Sequence, residues 1–122
     1  MAKKTKVGVL ASGGGTDLQS IIDASEKGMI NAEVAVVVCD NCDAFCLKRA
    51  EKHNITGFFV DPKNKDKKEI DNEVDSVFEE HNVDLVVGAG YMRILTKEFV
   101  KKWYGKLINI HPALLPSFKG VD

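Results

Sequence analysis

Asn109 and His111 stand two residues apart in the stretch Asn109-Ile110-His111-Pro112-Ala113-Leu114-Leu115-Pro116. In an extended strand, residues two apart point to the same face, so a carboxamide and an imidazole can converge there on one substrate. Histidine exchanges protons near neutral pH, and an asparagine N–H can donate to a developing oxyanion. The pair suits addition of a nucleophile to a carbonyl-like carbon followed by collapse. Pro112 and Pro116 stiffen the loop that follows. The competing reading is a histidine that caps a strand end beside an asparagine that satisfies local backbone, and the two residues alone do not decide between them. No serine or cysteine triad surrounds them.

A second candidate is the run Ser12-Gly13-Gly14-Gly15-Thr16-Asp17. Glycines let backbone approach a ligand closely, and a helix starting there would present free N–H groups with partial positive charge. That suits a phosphate. The spacing is not the dinucleotide fingerprint, because Leu18 stands where its third glycine belongs, and the P-loop Lys-Ser/Thr pair is absent. A plain tight turn is the alternative. The third cluster, Cys39, Cys42 and Cys46, invites a metal reading with His53 as a fourth ligand. Packing is favoured instead: Cys39 ends a strand, Cys46 lies inside a helix, and buried cysteines behave as small apolar residues. No metal is expected. His53 and His81 read as surface residues near helix ends.

The elements that must position these groups alternate in type. Residues 7–11 read as a buried strand. Thr16 or Asp17 is expected to cap a helix with Leu18, Ile21, Ile22 and Ala24 inward, ending near Gly28. The unbroken run 34–39 suits a parallel strand buried on both faces. A helix over 44–53, a strand over 57–60 and turn chemistry at 61–64 follow. Residues 67–81 form an amphipathic helix burying Ile70, Val74, Val77 and Phe78. Residues 84–90 form a fourth strand and its exit, 97–103 a short helix, and 107–110 a fifth strand. The pattern implies a doubly wound, mostly parallel α/β sheet of Rossmann-like type.

Bulk properties bound the answer. The chain has 122 residues, 44% of them apolar, which fits one domain with a real core. A net charge of -1 gives no basic excess for non-specific nucleic-acid binding, so no nucleic-acid partner is expected. No apolar run approaches the roughly 18 residues of a membrane helix, so no membrane partner is expected and the chain reads as cytoplasmic. Ending in a loop, residues 1–122 read as a single α/β domain incomplete at its C-terminus.

Taken together, Ser12 to Gln19, Gly90-Tyr91-Met92-Arg93-Ile94-Leu95 and Asn109 to Gly120 resemble the phosphoribosylglycinamide formyltransferases (glycinamide ribonucleotide transformylases), a branch of the folate-dependent formyltransferases. The resemblance runs through essentially the whole chain. It implies a formyltransferase fold and transfer of a formyl group from 10-formyltetrahydrofolate, as cosubstrate, to the amine of glycinamide ribonucleotide in purine biosynthesis. It further implies that His111 donates the proton and Asn109 stabilises the oxyanion and meets the folate. Gly15, Thr16 and Asp17 would bind the ribonucleotide. Asp17 departs from the usual asparagine, and its carboxylate is expected to cap the helix and face away from the phosphate. Met92, Arg93, Ile94 and Leu95 would border the folate, although core packing equally explains the apolar three. Lys67 falls where the family often has an arginine near the folate, with a solvated helix face the favoured reading. The resemblance also implies a third catalytic residue, an aspartate beyond Gly120, and Asp122 comes too early to be it. These 122 residues alone are therefore expected to have little activity. A homodimer is plausible by the same resemblance. The alternatives are another folate-dependent formyl enzyme and a non-catalytic nucleotide- or anion-binding fragment.

Overall fold

The computed structural model describes residues 3–13, 15–41 and 45–110. Five strands alternate with four helices: β1 (Thr5–Ala11), α1 (Thr16–Glu26), β2 (Ala32–Cys39), α2 (Phe45–Lys52), β3 (Thr56–Phe59), α3 (Lys67–Glu80), β4 (Leu85–Gly88), α4 (Lys97–Lys102) and β5 (Leu107–Asn109). The strands form one parallel sheet in the order β3-β2-β1-β4-β5. Parallel neighbours need a crossover, and the crossover has a fixed hand. Winding outward from β1 through β2 to β3 therefore lays α1 and α2 on one face. Returning across β1 to β4 and β5 lays α3 and α4 on the other.

The period-two alternation of a strand is visible in what each face buries. Val7, Val9 and Ala11 of β1 join Val37 and Cys39 of β2 in a core with Leu18, Ile22, Cys46 and Ala50 of α1 and α2. Leu10 of β1 joins Val36 and Val38 of β2 in the opposite core, with Ile70, Val74, Val77 and Phe78 of α3 and Phe99 of α4. Trp103, just past α4, closes that second core, its ring edge-on to Phe78 with centroids 6.0 Å apart. At Gly8 of β1, α3 leaves no room for a side chain: a Cβ there would stand 2.6 Å from Phe78 Cε1.

Helix starts are handled in three ways. At α3, Asp66 and Glu69 form a reciprocal capping box. At α4, Thr96 Oγ1 accepts from Phe99 N, while the buried Asp71 of α3 accepts the Thr96 N–H at 2.6 Å. At α1 the expected side-chain cap is not made: the N-cap is Gly15, in the left-handed region at φ 78°, and Thr16 and Asp17 sit inside the first turn. A left-handed residue without a Cβ turns the chain tightly enough to replace the Asx or Thr cap. The remaining boundaries move by at most two residues, and β4 with its exit occupies the expected 84–90 run. Among the described residues, no helix is long and apolar enough to cross a membrane.

Candidate active site

Because β1 and β4 are neighbours whose following helices go to opposite faces, their carboxyl ends form the switch point of the sheet, where the crevice between strand exits is the usual ligand position. Two exits line it. Ser12 and Gly13 leave β1, and Ala89, Gly90 and Tyr91 leave β4. They are tied together: Ala89 N donates to Leu10 O at 2.8 Å, and Met92 N donates to Ser12 Oγ at 2.9 Å. Gly90, at φ 81°, turns the second exit back toward the first.

The glycine-rich turn is packed tightly against α2. Cys46 N donates to Gly13 O at 3.3 Å, and a Cβ on Gly15 would stand 3.0 Å from Cys46 Cα and 3.1 Å from Arg49 Cδ. Gly15 O accepts from Gln19 N at 2.8 Å, the first helical bond of α1. The opening N–H groups of α1 have no intrahelical carbonyl to meet. Asp17 lies within that turn, on the side of the helix macrodipole that favours a carboxylate. Gly15, Thr16 and Asp17 thus stand together at a helix N-terminus; Gly14 lies outside the described residues.

Beside the crevice a cleft of about 380 Å³ is lined by Asp40, Lys67, Ile70, Asp71, Met92, Arg93 and Ile94. Four of the residues singled out for folate meet here: Lys67, Met92, Arg93 and Ile94. Met92 and Ile94 are 67% and 73% exposed, so packing does not account for their placement. Leu95 behaves differently, partly buried against the core beneath α3 and α4. Lys67, expected on a solvated helix face, is exposed and borders the cleft as well. Arg93 Nε pairs with Asp40 Oδ2 at 2.8 Å, joining the β4 exit to the β2 exit across β1. Tyr91 is buried behind this pair, and burial, with Asp40 and Asp71 nearby, pushes its phenol well above the ordinary range. A larger hollow of about 620 Å³ runs along α2 and β3, and none of the residues singled out for chemistry lines it.

Asn109 ends β5 in register with Gly88 of β4. Asn109 Nδ2 lies 3.5 Å from where a Cβ on Gly88 would stand, an ordinary contact distance, so the carboxamide rests beside the end of β4. Ile110 N donates to Gly88 O at 2.9 Å, which fixes the backbone up to the residue before His111. His111, and the Pro112 to Gly120 stretch with it, lies outside the described residues.

Sequence reasoning did not single out Ser12, Asp40 or Asp71 as individual site residues. Asp40 and Arg93 are 53 positions apart, and no local pattern announces such a pairing. Cys39 and Cys46 pack as expected: both are buried and free, with the Cys46 thiol donating to Cys39 sulfur at 3.0 Å. That bond and burial hold the Cys46 thiol well above its ordinary range, which keeps its proton on. Cys42 lies outside the described residues. Among those described, no group of three His, Cys, Asp or Glu side chains is placed to hold a metal. His53 and His81 are half-buried rather than on the surface, His81 bonding Val77 O and His53 bonding Glu26.

Comparison with known proteins extends this geometry. The formyl transferase family (Formyl_trans_N) matches residues 5–122. The chain is 46% identical over 120 residues to the trifunctional purine biosynthetic protein adenosine-3 of Gallus gallus, covering 98% of this chain and 12% of that protein. It is 42% identical over 118 residues to the phosphoribosylglycinamide formyltransferase of Haemophilus influenzae, covering 96% of this chain and 56% of that enzyme. The structure of glycinamide ribonucleotide transformylase 1 from Geobacillus kaustophilus superposes with a TM-score of 0.85 at 36% identity, over 94% of this chain and 62% of that one. The chain therefore spans little more than half of the single-function relatives. By its match to the family over residues 5–122 and the fold it shares with a solved transformylase, the chain belongs to the formyl transferase family.

Proposed function

We propose that this chain forms the ribonucleotide- and folate-facing part of a phosphoribosylglycinamide formyltransferase, which moves a formyl group from 10-formyltetrahydrofolate to the amine of glycinamide ribonucleotide. The observation that carries this reading is the crevice: one end of one sheet gathers the glycine-rich turn, the Met92 to Ile94 border and Asn109. Gly15, Thr16 and Asp17 hold the ribonucleotide phosphate through backbone N–H groups at the α1 N-terminus. Lys67, Met92, Arg93, Ile94 and Leu95 border the folate, Leu95 from the core side, and Asn109 meets its reacting end.

The amine nitrogen attacks the formyl carbon and forms a C–N bond, and the carbonyl oxygen becomes an oxyanion that the Asn109 N–H stabilises. Collapse restores the carbonyl and breaks the bond to the folate nitrogen. That nitrogen takes a proton from His111, and the proton released by the attacking nitrogen restores His111, so charge and protons balance. Work in purine biosynthesis fits a cytoplasmic setting, and a homodimer is the expected assembly, checked by sedimentation.

His111→Ala in the full-length polypeptide that carries this chain is the test. Turnover should fall by roughly 10²- to 10⁴-fold, with ribonucleotide affinity nearly unchanged. Near-wild-type turnover would remove His111 from the mechanism. Absence of any formyl transfer in the unmutated polypeptide would remove the reading itself.

A further inference from the structure

Gln19 stands one turn into α1 and joins three side chains. Its Oε1 accepts from Arg49 Nη1 of α2 at 3.1 Å, and its Nε2 donates to Asp23 Oδ1 at 2.9 Å. The same Nε2 lies 3.1 Å from His53 Nε2. An amide NH2 only donates, so His53 Nε2 accepts, which puts the imidazole proton on Nδ1, 2.9 Å from Glu26 Oε2. The amide of Gln19 thereby has one orientation: nitrogen toward His53 and Asp23, oxygen toward Arg49. This chain of contacts holds one guanidinium in place.

That guanidinium belongs to a side chain lying along the glycine-rich turn. Arg49 Cδ is 3.1 Å from where a Cβ on Gly15 would be, next to Cys46 at 3.0 Å. Phe45, the first residue of α2, carries the guanidinium at 5.9 Å from its ring centroid, a second restraint on it. A guanidinium offers five N–H donors in a rigid fork matched to phosphate oxygens. Backbone N–H groups supply geometry at the turn but only partial charge.

We infer that Arg49 is a phosphate-binding residue of the ribonucleotide site, set beside the Gly15 turn by Gln19, with Gln19 and His53 as positioning residues. The inference rests on the proposed ribonucleotide reading of that turn. It assigns the cation of the site to α2 and gives Gln19 a function that no contact with substrate requires. Removing the guanidinium weakens ribonucleotide binding and leaves the chemical step alone. Removing the Gln19 acceptor does the same to a smaller extent, and only while Arg49 is present.

The experiment is steady-state kinetics on the full-length polypeptide with Arg49→Ala, Arg49→Lys, Gln19→Leu and the Arg49→Ala/Gln19→Leu double variant. Arg49→Ala should raise KM for the ribonucleotide roughly 10- to 100-fold, with kcat and the KM for the formyl donor within about twofold of wild type. Arg49→Lys should fall between. Gln19→Leu should cost a few-fold by itself and nothing further in the double variant. An unchanged ribonucleotide KM in Arg49→Ala, or a matched rise in both KM values, overturns the assignment. A second measurement needs no variant: titration of the wild-type protein with inorganic phosphate, read by the Arg49 Nε–H and the Gly15 to Asp17 amide resonances. Movement of both supports the assignment. Movement of the amides alone overturns Arg49 while keeping the site, and movement of neither overturns the phosphate site and Arg49 with it.

Discussion

Tyr91 shows how a single side chain at this site couples position to stability. It is 9% exposed behind the Arg93–Asp40 pair, and burial raises its phenol well above the ordinary value of about 10. The folded phenol then stays neutral where the unfolded one ionises. The stability tied to it is fully present below about pH 10 and is lost as pH rises past that value toward the raised folded one. Tyr91→Phe should therefore flatten the alkaline arm: between about pH 9 and 11 its urea midpoint should fall less than that of the wild type. Parallel curves would place the phenol in a wetter setting than the structure gives it. The residue scale is also where the sequence was least transparent. Asn109 and the glycines stand out by type and spacing. Asp40, Asp71 and Gln19 are ordinary surface-type residues until the fold brings Arg93, Thr96 and Arg49 to them.

At the scale of the element, the glycine in β1 is a packing requirement. A side chain at Gly8 would collide with the Phe78 ring, and Phe78 is the largest fully buried side chain of α3. Gly8→Ala should destabilise the chain by about 1–3 kcal/mol through overpacking, read as a shifted denaturation midpoint. Adding Phe78→Leu should recover part of the loss, and equal midpoints for wild type and Gly8→Ala would mean α3 can move aside. Elements with strong periodicity were legible in advance. The apolar run in β2 and the 3.6-residue pattern of α3 predict their own burial because each depends on local sequence and one buried surface. The cap of α1 was misread for a physical reason. Thr16 and Asp17 are good caps by type, but Gly15 adopts a left-handed backbone open to few other residues, and the turn closes one position earlier.

On the scale of the molecule, the parallel sheet in the order β3-β2-β1-β4-β5 places the Gly15 turn, the Met92 to Ile94 run and Asn109 at one end. The fold was readable from the alternation of strands and helices; the partition of the Met92 to Leu95 run between cleft and core was not, since all three of its apolar residues satisfy either environment. If the glycine-rich turn holds the ribonucleotide, saturating ligand should slow hydrogen exchange at Gly13, Gly15, Thr16 and Asp17 while leaving the amides of β3, at the far edge, unchanged. Equal exchange with and without ligand would count against the site. The parallel sheet has one more consequence, and it concerns handling rather than catalysis. All five strands start at the opposite end, where Lys3, Lys6, Asn82 and Asp84 gather. A surface linkage, dye or fusion partner attached through Lys3 would hang from the end remote from Asn109, leaving the mouth of the crevice open to solution.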